Sequence, residues 1–456
     1  MPENRPVSPG QTLTLQITGY GHNGEGVGRY QNFTVFVNGA IRGEEVEVRI
    51  SEVHRNFARA NTLRILNPAP ERVAPACPLY GRCGGCQLLH LAYPAQLELK
   101  RQRVVDALTR LGGLADVPVR PPVGMDDPWH YRNKVQYPVA LVDGKIVLGC
   151  YERYSHRVVP TEDCLIQQEV NNRLMRAVRR LAQEWRLLPY DERTGRGFLR
   201  HVLIKSAAGT GEAMVVLVTN GPEFPRGEEF GAALAAEVPQ LVGLAQNINL
   251  LRTNVVLGRE TRILWGKEAI VDEVGGVRFR VSAVSFFQVN PLQTEVLYER
   301  ALAYAGLTGK EMVLDVYCGV GSLTLFLARQ ARRVYGVEVV EEAIHDAEEN
   351  ARLNGIENVT FLVGEAERVL PKLAASGTRV APAGLDPPRA GGESGVLRTL
   401  AATGVPRIVY ISCNPSTLAR DLKLLAEEGY VVREVQPVDM FPHTFHVESV
   451  VLITRL

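Results

Sequence analysis

Between residues 11 and 66, apolar and polar residues alternate with a period of two, in short runs separated by glycine-rich turns. This period predicts β-strands that bury one face, most clearly at residues 13–17, 33–37 and 45–50. The loop at 19–28 contains several glycines, which permit positive φ angles and close backbone approach. The length and the turn density fit a five-stranded β-barrel of the nucleic-acid-binding kind.

The pattern changes after a proline-rich link at residues 68–78. Residues 94–112 predict an amphipathic helix that stops at a Gly-Gly pair. A mixed region follows to about residue 281, with strand-like runs at 145–148, 201–205 and 213–218 and a helical run at 170–185. The remaining residues alternate strands and helices, which predicts an α/β domain with a largely parallel sheet.

Length and charge limit the class of protein. A chain of 456 residues exceeds what one core usually serves, so we expect two to four domains. No apolar run approaches the roughly 20 residues that span a bilayer, and the N-terminus lacks signal-peptide features. We therefore expect a cytoplasmic protein without a membrane partner. The net charge of +1 does not indicate a nucleic-acid binder, but basic residues cluster locally at 55–82 and 100–110. Such clusters are either solvated faces or RNA-facing patches.

The chain contains seven cysteines, an odd number that argues against a disulfide framework and for metal binding or catalysis. Cys77, Cys83 and Cys86 have gaps of five and two residues, and Cys164 lies far downstream. Four thiolates suit either a structural zinc ion or a [4Fe–4S] cluster, and spacing alone does not decide between them. Cys150 competes with Cys164 as the fourth ligand. The spacing excludes a radical S-adenosylmethionine enzyme, which uses gaps of three and two.

A nucleoside-binding pattern begins at residue 312. An apolar strand runs into the turn Gly319-Val320-Gly321, and a helix is predicted at 322–329. The next strand ends in Glu338, which lies 17 residues beyond Gly321 and can accept both ribose hydroxyls of an adenosine. The dinucleotide motif Gly-x-Gly-x-x-Gly is incomplete, because Leu323-Thr324 stands where its third glycine is due. The pattern therefore disfavours NAD and FAD and favours S-adenosylmethionine.

Two more strand ends carry acidic residues. Glu365 closes a third strand, where an acid could meet the adenine amino group. Asp386-Pro387-Pro388-Arg389 closes a fourth, and its prolines hold a tight loop that presents the Asp at a fixed angle. Residues 381–385 make a poor strand, because they contain Pro and Gly.

A thiol and a carboxylate follow on two neighbouring strand-end loops near the C-terminus. Cys413 lies in the segment 411–415, and Glu448 ends the segment 441–448. A thiolate nucleophile beside a carboxylate base suits covalent catalysis on an electron-poor ring. The alternative is a buried structural cysteine and a surface glutamate.

These motifs occur in the order seen in RNA uracil-C5 methyltransferases, and the chain resembles the subgroup that acts on 23S ribosomal RNA. The segments 24–28 and 39–44 resemble a TRAM domain, an RNA-binding barrel. The family's functional residues fall on the following positions: Gln288, Tyr317, Glu338 and Asp386 for S-adenosylmethionine, Cys413 as nucleophile, Glu448 as base, and Cys77, Cys83, Cys86 and Cys164 for a [4Fe–4S] cluster. Ser322 and Glu365 depart from the family pattern.

The resemblance implies a multidomain α/β protein. It would comprise a TRAM barrel (7–66), a central α+β iron-sulfur domain (67–281) and a Rossmann-like class I methyltransferase domain (282–456), on which the helix at 94–113 would pack. The implied function is methylation of uridine C5 in 23S rRNA by a monomer, through an adduct between Cys413 and uracil C6.

Several alternatives remain. One is a transfer-RNA uracil methyltransferase, which typically lacks both the barrel and the four cysteines, and another is a non-catalytic RNA-binding or ribosome-assembly factor. The target base must be flipped out of folded RNA, and Phe287 or Phe445 could support it by stacking. His443 and His446 are better explained as loop-packing residues.

Overall fold

The computed structural model describes residues 5–456, and its first unit is the expected barrel. Five strands close in the order β1-β2-β3-β5-β4. Their bounds are Thr12–Tyr20 (β1), Gly26–Tyr30 (β2), Phe33–Asn38 (β3), Glu45–Val53 (β4) and Phe57–Asn67 (β5). Leu13, Leu15 and Ile17 point into the barrel while the residues between them are exposed, which confirms the period-two prediction.

The predicted helix after the proline-rich link is also present. It consists of α1 (Tyr93–Ala107) and a π-helical turn (Leu108–Gly112), and it ends at Gly113 with a φ of 68°. Val104, Ala107 and Leu108 enter the same apolar core as the last strands of the chain. The helix therefore packs on the C-terminal sheet, although about 200 residues separate the end of the helix from the start of that sheet.

A seven-stranded sheet in the order β12-β11-β10-β9-β6-β7-β8 forms the middle of the molecule. Its elements are β6 (Lys134–Val142), β7 (Lys145–Tyr151), β8 (Val158–Pro160), α2 (Glu169–Glu184), β9 (Leu199–Ser206), β10 (Ala213–Thr219), α3 (Gly227–Glu237), β11 (Leu241–Ile248) and β12 (Glu260–Gly266). Helices α2 and α3 cover one face. The other face meets the hairpin β13 (Ala269–Val274) and β14 (Val277–Ser282), which joins it to the C-terminal core.

The C-terminal sheet has the order β17-β16-β15-β18-β19-β21-β20. Its elements are α4 (Pro291–Ala305), β15 (Met312–Val316), α5 (Ser322–Ala328), β16 (Arg333–Glu338), α6 (Glu341–Leu353), β17 (Val359–Val363), α7 (Ala366–Ala375), β18 (Ala383–Leu385), α8 (Ser394–Ala402), β19 (Arg407–Ser412), α9 (Pro415–Glu427), β20 (Tyr430–Val438) and β21 (Glu448–Arg455). The first five strands in this order are parallel, and β21 runs antiparallel to both of its neighbours.

This arrangement confirms the predicted parallel α/β domain. Helices cover both faces of the sheet, with α4 and α5 in one core and α8 and α9 in the other. Strand β18 is only three residues long, as its Pro and Gly content predicts, yet it occupies the centre of the sheet. Among the helices of residues 5–456, none has the length and apolarity needed to cross a membrane.

Candidate active site

The carboxyl ends of four parallel strands meet at one edge of the C-terminal sheet. Val316 pairs with Val337 on one side and with Leu385 on the other. Glu338 is therefore the last residue of its strand, and Tyr317 and Asp386 each follow directly after the end of a neighbouring strand. All three line a cavity of about 1050 Å³ between the C-terminal sheet and the central part of the chain. In open α/β sheets, this edge is where ligands bind.

The glycine turn orients the carboxylate of Glu338. The Gly319 backbone N–H donates to one carboxylate oxygen at 3.2 Å, and the N–H groups of Val339 and Val340 donate to the other at 2.8 and 3.1 Å. Gly321 has a φ of 82°, and a Cβ there would lie 3.1 Å from that of Ala347. The turn therefore requires glycine both for its backbone angle and for the close approach of α6.

Sequence reasoning missed Asp315, which lies on the cavity wall below this turn. Its Oδ2 accepts a hydrogen bond from the Thr324 hydroxyl at 2.6 Å, while its Oδ1 is buried without a protein partner. Burial is the main cause that raises the pKa of Asp315 to about 7. A buried acceptor without a donor fits a ligand that carries an N–H or ammonium group, and S-adenosylmethionine carries one.

Gln288 reaches the cavity on the loop between β14 and α4. Its backbone carbonyl accepts from the Asn133 side chain at 3.1 Å, and Lys205 donates to the carbonyls of Ser282 and Ser285 at 2.6 and 2.9 Å. The central sheet thus fixes this loop against the C-terminal domain. Tyr298, about two turns into α4, is buried against Gln288 and Ser322, and the sequence offered no signal for it.

Cys413 and Glu448 are brought together by strand register. Ser412 at the end of β19 pairs with Ser449 at the start of β21. Cys413 directly follows this pair and Glu448 directly precedes it, and the two side chains are close enough for the Glu448 carboxylate to raise the pKa of the Cys413 thiol. Both residues line the cavity, and Glu448 is 5% exposed. The thiol therefore faces neither a sealed interior nor a remote surface.

The environment of this pair favours its neutral forms. Burial, with a smaller contribution from Asp386, raises the pKa of Glu448 to about 8. Burial and the two carboxylates raise the pKa of the Cys413 thiol to about 12. Burial alone raises the pKa of Asp386 to about 6.

Arg389 opposes these pKa shifts, and sequence reasoning did not assign it this role. Its guanidinium lowers the pKa of both Cys413 and Glu448 against the effect of burial. Its backbone carbonyl accepts from the side chains of Asn414 and Thr417, so the Asp-Pro-Pro-Arg loop is tied to the cysteine loop. The signal was available, because Arg389 completes the motif that contains Asp386.

Helix α1 holds the loop that leads to Glu448. Lys100 and Asp439 form a fully buried ion pair at 2.5 Å, and Lys100 also donates to the Phe441 carbonyl at 3.0 Å. The Tyr93 hydroxyl donates to the other Asp439 oxygen at 2.9 Å. The buried charge of Lys100 is thus paired and hydrogen-bonded, which is the condition under which a buried ion pair is tolerated.

The two histidines of this loop differ. His443 stacks on Trp129 with ring centres 4.0 Å apart, and its backbone N–H donates to the Gln96 side chain at 3.0 Å. It is a packing residue, as expected. His446 instead lines the cavity, and burial lowers its pKa to about 4, so it is a neutral imidazole there.

The expectation for the aromatic residues requires correction. Phe287 is 6% exposed in the hydrophobic core and cannot contact a base in the cavity. Phe286 is 68% exposed and lines the cavity instead. A run of two phenylalanines does not reveal which ring points outward when the segment is a loop. Phe445 packs on His446 and against Gly24 of the barrel.

Cys77, Cys83, Cys86 and Cys164 line the far wall of the same cavity, together with Cys150. However, no group of three or more His, Cys, Asp or Glu side chains within residues 5–456 is arranged to hold a metal ion. The thiols interact with each other, because a hydrogen bond with Cys150 lowers the pKa of Cys83 to about 7. The predicted iron-sulfur domain is therefore not supported by the arrangement of these side chains.

The two departures from the family pattern have different positions. Ser322 lines the cavity at the start of α5. Glu365 is exposed and forms an ion pair with Arg368 at 2.7 Å, so its carboxylate is engaged on the surface.

Strand order, glycine turn and carboxyl-end cavity together define the class of S-adenosylmethionine-dependent methyltransferases. Comparison with known proteins narrows the class. Residues 240–456 match the family model for tRNA (uracil-5-)-methyltransferase, and residues 6–63 match the TRAM domain. A protein of Clostridium tetani named as an uncharacterized RNA methyltransferase is 47% identical over 454 residues, covering 100% of this chain and 98% of the relative. A protein of Caldanaerobacter subterraneus with the same description is 47% identical over 450 residues, covering 99% of each chain.

A solved structure is similar over almost the whole length. The tRNA (uracil-54, C5)-methyltransferase of Pyrococcus abyssi, in complex with S-adenosyl-L-homocysteine, matches with a TM-score of 0.77 and 26% identity. The match covers 97% of this chain and 100% of that one. The chain belongs to the RNA uracil-5-methyltransferase family, and it is an enzyme with the S-adenosylmethionine-dependent fold.

Proposed function

We propose that this enzyme methylates C5 of a uridine in 23S ribosomal RNA through a covalent adduct with Cys413. The observation that supports this most strongly is that the neighbouring strands β19 and β21 bring Cys413 and Glu448 to the wall of one cavity. A purely RNA-binding factor would have no need for a thiol and a carboxylate at this position.

Gln288, Tyr317, Glu338 and Asp386 would hold S-adenosylmethionine at the strand ends. Glu338 is already oriented by three backbone N–H groups and can accept from ribose hydroxyls. Asp315 offers an unpartnered oxygen in the same cavity. When bound, the cofactor supplies an electrophilic methyl group.

The reaction requires a nucleophile and a base from the chain. Uracil C5 is a poor nucleophile, but addition of the Cys413 thiolate at C6 gives an enolate that is reactive at C5. After C5 carries the methyl group, Glu448 would remove the C5 proton. Expulsion of the thiolate then restores the C5–C6 double bond and frees Cys413.

The electrostatics suit the proposed base. A general base works best when its pKa lies near the operating pH, and the pKa of Glu448 is raised to about 8. The raised pKa of Cys413 means that few free enzyme molecules carry a thiolate. Arg389 would help to form it, because a nearby cation favours the charged form.

A second part of the proposal concerns the four cysteines of the family pattern. Cys77, Cys83, Cys86 and Cys164 would hold a [4Fe–4S] cluster in the central domain (67–281), with no catalytic step assigned to it. Their number fits the ligand count, but the hydrogen bond between Cys83 and Cys150 would have to break on cluster binding.

A transfer-RNA uridine is the second candidate substrate. The similarity to the Pyrococcus abyssi tRNA enzyme covers 97% of this chain, which includes most of the barrel. The same match includes most of residues 77–164, so neither the barrel nor the cysteine-containing region separates the two substrate classes. Mapping of 5-methyluridine in ribosomal and transfer RNA from cells with and without the gene separates the two.

Replacement of the nucleophile tests the reaction. Cys413→Ala should abolish methyl transfer, while S-adenosylhomocysteine should bind with nearly unchanged affinity in calorimetry, because Cys413 is not among the proposed cofactor ligands. In denaturing electrophoresis, Glu448→Gln should accumulate a protein–RNA adduct that Cys413→Ala does not form. Full turnover by Cys413→Ala would exclude the covalent route.

A further inference from the structure

An exposed aromatic residue lies on the turn between β7 and β8, outside the active-site cavity. Tyr154 is 70% exposed and has a φ of 60°. This left-handed backbone conformation is unfavourable for a bulky side chain, and Gly or Asn would occupy it at lower cost. Neither packing nor local conformation therefore explains a tyrosine here.

Two arginine side chains lie against the Tyr154 ring. The guanidinium carbon of Arg153 is 5.2 Å from the ring centre, and that of Arg59 on β5 is 5.8 Å away. The ring nevertheless keeps most of its surface in solvent, which two covered faces would not allow. An aromatic surface flanked by cations therefore remains open.

A buried carboxylate fixes both arginines. Glu25 in the barrel loop is 3% exposed, and one of its oxygens lies 3.1 Å from Arg59 and 3.9 Å from Arg153. Arg153 also donates to the Asn38 side chain at 3.2 Å. The positions of both guanidinium groups are thus set before any ligand arrives.

Arg59 connects this site to a second aromatic pair. It lies 5.8 Å from the Phe57 ring, and Phe57 stacks on His54 at 4.4 Å. The side chain of His54 is 47% exposed. We define the stacking platform as Tyr154, Arg153, Arg59, Phe57 and His54. It spans the barrel and the central sheet.

We propose that the stacking platform binds an unpaired RNA base outside the active-site cavity, so that it holds a segment of the substrate other than the target nucleotide. The proposal rests on RNA being the substrate, as in the proposed function. Unpaired bases stack on exposed aromatic rings and arginine planes, whereas bases in a duplex cannot. The backbone of Cys83, which lines the cavity, forms an isolated β-bridge with that of Glu152, next to Arg153. The platform therefore adjoins the cavity along the cysteine segment.

The test compares two RNA probes by fluorescence anisotropy at one fixed salt concentration. The probes are an unstructured oligoadenylate of about 12 nucleotides and an RNA duplex of similar length. Tyr154→Ala should weaken oligoadenylate binding about 5- to 30-fold and leave duplex binding unchanged. Tyr154→Phe should bind like the wild type, because it keeps the ring. Arg193→Ala, which removes an exposed arginine elsewhere, controls for general charge loss.

The other outcomes are equally informative. Unchanged oligoadenylate binding by Tyr154→Ala, an equal loss for the duplex, or no binding by the wild type would each overturn the proposal. Binding of S-adenosylhomocysteine by every variant verifies that the fold is intact. The platform and the proposed function can fail separately. If Tyr154→Ala loses oligoadenylate binding but the wild-type protein methylates no ribosomal RNA, the platform is retained and the proposed function is rejected.

Discussion

Glu448→Gln should stabilise the folded protein, and the gain should grow with pH. The carboxyl group of Glu448 is buried, and its pKa is raised from 4.5 to about 8. Between these values, the folded state keeps a proton that the unfolded state has lost. The stability that this group contributes is thus fully present below pH 4.5 and is lost as the pH rises toward 8. Glutamine does not titrate and removes this dependence.

The magnitude follows from the two pKa values. Ionisation of Glu448 disfavours folding by about 2 kcal/mol at pH 6 and by about 4–5 kcal/mol at pH 8.5. The difference in unfolding free energy between Glu448→Gln and the wild type should therefore increase by about 2–3 kcal/mol over this range. Any constant effect of the amide side chain cancels in this comparison.

Urea unfolding at a series of pH values measures the effect. Trp129 stacks on His443 in the loop before Glu448, so its fluorescence should report loss of this region. Glu223→Gln, which changes an exposed carboxylate, should show no growing difference from the wild type. Parallel stability curves for Glu448→Gln and the wild type between pH 6 and 8.5 would refute the reasoning.

Three further predictions address other parts of the site. Arg389→Gln should move the rising limb of the kcat–pH profile to higher pH, because Arg389 lowers the pKa of Cys413 and Glu448. Arg368→Gln, which changes an exposed arginine, is the control, and identical profiles for the two variants would contradict the prediction. Lys100→Met should destabilise the protein by about 3–5 kcal/mol in urea unfolding, because it leaves the Asp439 charge buried alone, and Lys100→Met with Asp439→Leu should recover most of the loss. Protein purified without oxygen should contain iron and sulfide and absorb visible light, and Cys164→Ser should lose the absorbance that Cys150→Ser keeps. A colourless protein with bound zinc would exclude the cluster.

Much of the fold could be predicted because each element has a local signature. The alternation in β1 and β3, the helix of α1 and the poor strand β18 were all visible as runs of neighbouring residues. The strand-end motifs could also be placed together, because parallel strands bring their carboxyl ends to one edge. Tyr317, Glu338 and Asp386 line one cavity for this reason.

Long-range contacts could not be predicted in this way. The partners of Asp439 lie more than 330 residues earlier in α1, and no periodicity connects them. Which of Phe286 and Phe287 faces the cavity depends on how a loop lies against the central sheet. The electrostatic role of Arg389 depends on the burial of its neighbours, which a motif does not express.

By itself, the sequence determined the alternating β-strands of the barrel, the mixed central region and the strand–helix alternation of the C-terminal domain. It also determined the glycine turn and the chemical groups at the strand ends, because all of these depend on residues close together in the chain. Only the tertiary structure decided that Cys413 and Glu448 line one cavity and that α1 holds the loop before Glu448. It also decided that Arg59 of the barrel meets Arg153 and Tyr154 of the central part of the chain. The physical reason is that register, burial and ion pairing arise from elements distant in sequence. Their energies depend on the packed surroundings rather than on any local pattern.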